Sequence, residues 1–172
     1  VFNNQHYLKV ATNAATFIIN NMYSNSKLVR IYRKGIQKQS AYLDDYAFFI
    51  MSLLDLYEST FDIKWIMYAE ELLHIMIDDF WDADKGCFFF TATYHQNLLT
   101  RVKSDYDGAL PSGNSVVALV LLRMSKLRNN DSWYKMAETV LANYKSDMDK
   151  IPQGYFAMLN SAVFYLNPPK EI

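Results

Sequence analysis

Asp105-Tyr106-Asp107-Gly108-Ala109-Leu110-Pro111-Ser112-Gly113-Asn114-Ser115 leads into an apolar run that ends at Leu127. Gly108, Pro111 and Gly113 interrupt regular backbone, and Ser112 and Asn114 carry side-chain oxygens suited to capping a helix start. Beyond them Val117, Leu121, Met124 and Leu127 recur at helical spacing. Val120 and Leu122 widen that stripe, so the spacing predicts a largely buried helix over 113–127. A polar loop thus delivers side chains and free N–H groups to the N-terminus of a buried helix, a good place for a site.

Outward from this stretch the chain reads mostly as helices. Residues 5–22 place Leu8, Ala11, Ala15, Ile18 and Met22 on one face. Residues 42–60 open on Asp44-Asp45 and are almost wholly apolar from Ala47 to Leu56. Residues 63–80, 131–147 and 155–166 are also predicted to be helical, and Pro168-Pro169 stops the last. Leu28 to Arg33 alternates like a short strand before Gly35, and Cys87 to Thr91 reads as a second strand after the turn 81–86. Thr93 to Pro111 is read as a loop with a helical turn at 96–99.

An internal repeat orders these elements. A gap-free shift of 68 residues lays Asp45 on Gly113, Leu53-Leu54 on Leu121-Leu122, Trp65 on Trp133, Ala69 on Ala137, Gly86 on Gly154 and Phe88 on Phe156. An earlier partial copy sets Ala11, Ala14-Ala15 and Ile18 against Ala69, Leu72-Leu73 and Met76, so the chain begins on the second helix of a unit. Each unit pairs a helix that is apolar nearly all round, which other helices must surround, with one that keeps a polar face and lies outside. Trp65 and Trp133 read as packing between such hairpins. A ring of them is an α/α toroid, with inner helices lining a funnel. Residues 1–172 are therefore expected to form an all-α fragment of a longer protein, a partial α/α toroid of about three hairpins with short β-strand turns. Inner-helix edges left uncovered should find a partner, by self-association or in a missing half-toroid.

Composition excludes several function classes. Apolar residues make up 51% against 20% charged, which argues for a packed core over disorder. The formal net charge is −1 and Lys and Arg are scattered, the densest cluster running from Arg30 to Lys38. No nucleic-acid or membrane partner is expected from such a balance. Uninterrupted apolar runs fall short of the roughly 20 residues of a membrane span. No signal peptide opens the chain, and Val1-Phe2-Asn3-Asn4 reads as a cut inside a longer protein. Cys87 is the only cysteine, which fits a reducing, cytoplasmic setting. Beside Phe88-Phe89-Phe90, read as core, it is expected to be a buried, unreactive thiol. Neither CxxC nor HExxH occurs, nor a phosphate loop after a strand, nor a Gly-x-Ser-x-Gly elbow. No metal and no cofactor are implied.

Phe88-Phe89-Phe90-Thr91, Leu98-Leu99-Thr100-Arg101-Val102-Lys103, Asp107 to Ser115 and Leu121-Leu122-Arg123-Met124 resemble a known family, as do Ala41 to Phe48 and Leu56 to Asp62. The chain looks like the C-terminal region of the thioredoxin-domain-containing proteins related to spermatogenesis-associated protein 20 and their bacterial counterparts. The likeness runs from about residue 5 to 145, and Asp-Gly-Ala-x-Pro-Ser-Gly-Asn-Ser is its most specific string. It implies an α/α toroid similar to N-acylglucosamine 2-epimerases and six-hairpin glycosidases. The thioredoxin-like domain of such proteins lies outside residues 1–172, so no redox activity carries over. Gly86-Cys87-Phe88 departs from the family's Gly-Gly-aromatic, and Ala92 to Gln96 lacks its acidic residues.

In a toroid the inner helices' N-termini converge at one mouth. Asp44, Asp45 and Tyr46 open one inner helix, Ser112 and Asn114 open the next, and Arg101, Lys103 and Asp107 lie on the loop between. Carboxylates, a phenol, an amide and two cations together suit a sugar-like small molecule, and paired carboxylates serve acid–base glycoside chemistry. The competing reading gives Asp44 or Asp45, Ser112 and Asn114 to helix capping, and Arg101 and Lys103 to a solvated loop face. His6 and His74 fall on outer helices and His95 on a loop, away from inner-helix starts, which argues against epimerase-type histidine chemistry. Two functions are expected to compete: carbohydrate-related binding or catalysis at the mouth, and a non-catalytic structural or protein-interaction module.

Overall fold

The computed structural model describes residues 4–95 and 99–167, and the chain divides into two compact units, residues 1–78 and 79–172. The expected helical turn at 96–99 and the stop at Pro168-Pro169 fall wholly or mostly outside the described residues.

The first unit opens on α1 (Gln5–Met22), where the Asn4 side chain accepts the His6 N–H at 2.9 Å. Asn25 and Ser26 take left-handed conformations and turn the chain into a small antiparallel sheet. Its strands are β1 (Tyr23–Ser24), β2 (Lys27–Arg33) and β3 (Ile36–Ser40), in that order, with Tyr23 opposite Leu28 and Ile31 opposite Lys38. Lys34 and Gly35, both at positive φ, close the β2–β3 hairpin. Alternation reveals β2 but not β3, which has one apolar residue and an exposed surface. Pairing with β2 makes it a strand, and pairing leaves no trace in its own pattern.

Next come α2 (Leu43–Thr60), ended by left-handed Phe61, and α3 (Ile63–Phe80). Leu43, Tyr46, Ala47, Ile50, Leu53 and Leu54 of α2 are fully buried. Trp65, Ala69, Leu72, Leu73 and Met76 form the buried stripe of α3.

The second unit begins with a turn and a departure from expectation. Residues 87–91 form no strand: a single antiparallel bridge joins Trp81 and Phe88. Cys87 sits at φ +66, which breaks an extended path. The N–H and C=O of Phe88 are then bonded by a side chain, that of Asn114, instead of a neighbouring strand. Only Phe88 of the three phenylalanines is fully buried; Phe89 and Phe90 are half-buried.

Helices α4 (Gly113–Arg128), α5 (Asp131–Lys150) and α6 (Phe156–Leu166) follow, with a 3-10 turn at Pro152–Gly154. Each packs on the other two. Val117, Val120, Leu121 and Met124 of α4 are fully buried, as are Ala137 and Val140 of α5 and Met158 of α6. In the 68-residue register α2 and α4 start two residues out of step, because Ser112 caps α4 while Tyr42 precedes α2. The repeated glycines both serve close packing. A Cβ on Gly86, at φ +72, would stand 2.6 Å from Thr139 of α5, and one on Gly154 would overlap the Tyr106 ring. Among the described residues no helix is long and apolar enough to cross a membrane.

Candidate functional site

In the first unit the candidate residues are those that open α2. Asp45, in its first turn, accepts the Tyr42 N–H at 2.9 Å and lies 3.3 Å from the Arg30 guanidinium. One carboxylate thereby returns to the residue before the helix and holds β2 beside it. Arg30 also stands over the Tyr42 ring, 5.2 Å from its centroid. Tyr46 is completely buried, and its hydroxyl accepts the Leu28 N–H at 2.9 Å. Asp44 is half-buried in the same turn, where a negative charge favours the helix dipole.

In the second unit Asp107 joins three segments. One oxygen accepts the Ser112 N–H at 2.8 Å. The other accepts N–H groups of Ala157 at 2.8 Å and Met158 at 3.3 Å. The Asp107 N–H itself donates to the Gly154 carbonyl at 2.8 Å. Tyr155, which precedes α6, makes no side-chain cap bond, so Asp107 caps that helix from 50 residues away. Ser112 caps α4 as expected, its hydroxyl accepting the Ser115 N–H at 3.1 Å.

Asn114 corrects a capping expectation. Its buried amide accepts the Phe88 N–H at 2.8 Å and donates to the carbonyls of Phe88 and Ser104, both at 2.9 Å. The carboxamide thus stands in for a strand edge and ties two loop strands to the start of α4.

Arg101 and Lys103 flank the Phe89 ring, 4.1 and 5.0 Å from its centroid. Neither forms the solvated face that the sequence also allowed, for both are half-buried. Arg101 donates to the carbonyls of Thr91 at 3.0 Å and Asp79 at 2.9 Å, and burial pushes its guanidinium below the usual pKa. Lys103 pairs with Asp82 at 2.7 Å and donates to the Gly86 carbonyl. The Lys103 hydrogen bond, helped by N–H groups of Lys85 and Asp84, holds the Asp82 carboxyl below its ordinary pKa.

Sequence reasoning passed over Asp82 and a second cluster nearby. Burial pushes up the pKa of the Cys87 thiol and of the Tyr144 hydroxyl bonded to it. Tyr144 stacks on Tyr155, whose hydroxyl lies 3.5 Å from Asp105. Only the spacing of Tyr144 on the buried face of α5 hints at this in the sequence. Among the described residues no group of three or more His, Cys, Asp or Glu side chains could hold a metal ion.

A concave groove lies elsewhere. A groove of about 870 Å³ runs between α1 and α2, its lining including Ala11, Ala14, Phe49, Asp55, Leu56 and Glu58. None of the eight candidate residues lines it.

No family model matches the chain. It is 34% identical over 153 residues to spermatogenesis-associated protein 20 of Rattus norvegicus, covering 83% of this chain and 19% of that protein. The Homo sapiens protein of the same name is 31% identical over 163 residues, covering 88% and 21%. The chain thus spans about a fifth of the length of the curated relatives it matches. Among solved structures, a GH76 alpha-mannanase from Bacteroides thetaiotaomicron superposes with a TM-score of 0.69 at 14% identity, over 98% of this chain and 48% of that one. The fold is a partial α/α toroid, and the chain is a homologue of spermatogenesis-associated protein 20 over about a fifth of that protein's length.

Proposed function

We propose that residues 1–172 act as a non-catalytic structural and protein-interaction module within a larger α/α toroid. The observation that carries this reading is Asp107, whose carboxylate is shared among the N–H groups of Ser112, Ala157 and Met158. A general acid or base must exchange a proton with a substrate, and a carboxylate so engaged is arranged to hold backbone. Asn114, Arg101 and Lys103 support the same reading, since each donates to main-chain carbonyls. Calorimetric titration with α-mannan oligosaccharides tests it. No saturable heat is expected; saturable binding that Asp45→Asn or Arg101→Met abolishes in a folded protein would overturn the proposal.

The second reading, a carbohydrate-related toroid with a sugar held at inner-helix N-termini, is favoured by one observation, the likeness to a GH76 alpha-mannanase. Fold likeness at that identity speaks for architecture and leaves chemistry to the site.

A further inference from the structure

The groove between α1 and α2 occupies a position that the second unit fills with a helix. Combining the two repeat shifts, 126 residues in all, lays Tyr7 on Trp133, Ala11 on Ala137, Ala14 on Val140 and Ala15 on Leu141. In α5 those four positions are 7% exposed or less, and α4 packs along that helix. In α1 Tyr7 is 62% exposed, Ala11 and Ala14 are exposed, and only Ala15 is buried. The same seam is therefore covered in one copy of the repeat and bare in the other. The other wall agrees: α4 also packs along α6, and the groove lies on α2 as well as α1.

The link into the outer helix is repeated too. Asn129-Asn130 joins α4 to α5, and Asn130 caps α5 by accepting the N–H groups of Ser132 and Trp133. In the same register stands Asn3-Asn4, with Asn4 capping α1 through the His6 N–H. We propose that the groove is the seat of a largely apolar α-helix supplied by polypeptide immediately N-terminal to α1. This helix stands to α1 and α2 as α4 stands to α5 and α6. The curated relatives are about five times as long as the matched segment, so they have polypeptide to supply it. A two-residue link keeps such a helix at a millimolar-scale effective concentration. A second copy of the chain, present at micromolar levels, competes poorly for the same groove. Small side chains at Ala11, Ala14 and Ser52 permit close approach of the helix.

The inference deepens the module reading by naming what the module packs against. Its test reads burial and not sugar binding, so either can fail alone. The polypeptide is prepared with its natural N-terminal extension, carrying Ala14→Cys in the groove or Thr16→Cys on the exposed face, and labelling by a maleimide is resolved by mass spectrometry. In the extended protein the Ala14→Cys variant is expected to label at its new thiol about 100-fold more slowly than the Thr16→Cys variant, independently of concentration. Equal rates would overturn the proposal, and protection that emerges only as concentration rises would replace it with a second copy. Hydroxyl-radical footprinting of the unsubstituted extended protein gives the same decision without a variant. Tyr7 should be about tenfold less oxidised than in residues 1–172 alone, and unchanged oxidation would overturn the proposal.

Discussion

At the residue scale the second unit depends on polar side chains that replace secondary structure. Asn114 supplies three hydrogen bonds to backbone groups of Phe88 and Ser104 from a fully buried position. Leaving a buried polar group unpaired costs about 1–3 kcal/mol, so Asn114→Ala should destabilise by about 3 kcal/mol or more. Asn114→Asp should be worse at neutral pH, because a carboxylate repels both carbonyls. Urea unfolding of the two variants measures this, and a loss within about 0.5 kcal/mol for Asn114→Ala would refute the role. Cys87 raises a different question. It is buried, as expected from its phenylalanine neighbours, and burial pushes its thiol pKa up, so native labelling by a thiol reagent should be slow. Its left-handed backbone strains any side chain. Cys87→Gly and Cys87→Ala lose the same thiol but differ in that strain. The glycine variant should be the more stable by about 1 kcal/mol, and equal stabilities would show that the backbone relaxes.

At the element scale, Asp107 decides where α6 begins. Tyr155 contributes no cap, and the first N–H groups of the helix turn to a carboxylate on a distant loop. Asp107→Ala should cost about 1–2 kcal/mol and speed amide exchange chiefly at Ala157 and Met158. Uniform acceleration across the unit would instead mean that the loop, and not the cap, is what the carboxylate holds. The Lys103–Asp82 pair anchors the turn after α3 in a comparable way. Asp82 has a folded pKa below its unfolded one. Its contribution is therefore fully present above the unfolded carboxylate value of about 3.9 and disappears as pH falls through the folded value. Lys103→Met should lower the urea midpoint at pH 7, with the gap from the parent narrowing below about pH 4. A gap that stays constant down to about pH 3 would assign the effect of Lys103 to its packing on Phe89.

At the scale of the whole molecule, the balance of charge is nearly even. Residues 1–172 carry a formal net charge of −1, and the sequence pI is about 6.3. Exposed apolar side chains accompany this, among them Tyr7, Val10 and Phe17 of α1 and Phe156 and Leu166 of α6. Electrostatic repulsion between copies vanishes near the pI, where apolar contact is unopposed. Light scattering from this chain should therefore peak close to pH 6.3 and fall on either side. A scattering curve flat from about pH 5 to about pH 8 would show that the bare apolar faces do not drive association.

The sequence by itself determined the helices, because helical packing leaves its period within a few residues. Leu8, Ala15 and Ile18 mark α1, and Val117, Leu121 and Met124 mark α4. It also determined the repeat and the burial of Trp65 and Trp133. Tertiary structure alone decided what the polar residues do. Asn114 looks like a cap from its position, yet its partner Phe88 lies 26 residues away. Arg101 finds Asp79 across 22 residues, and Asp107 finds Ala157 across 50. The same holds for β3, which exists through pairing with β2. Periodicity reports which face of an element is buried; a hydrogen bond between distant loops depends on where the folded backbone leaves a donor or carbonyl unpaired, and no local pattern records that.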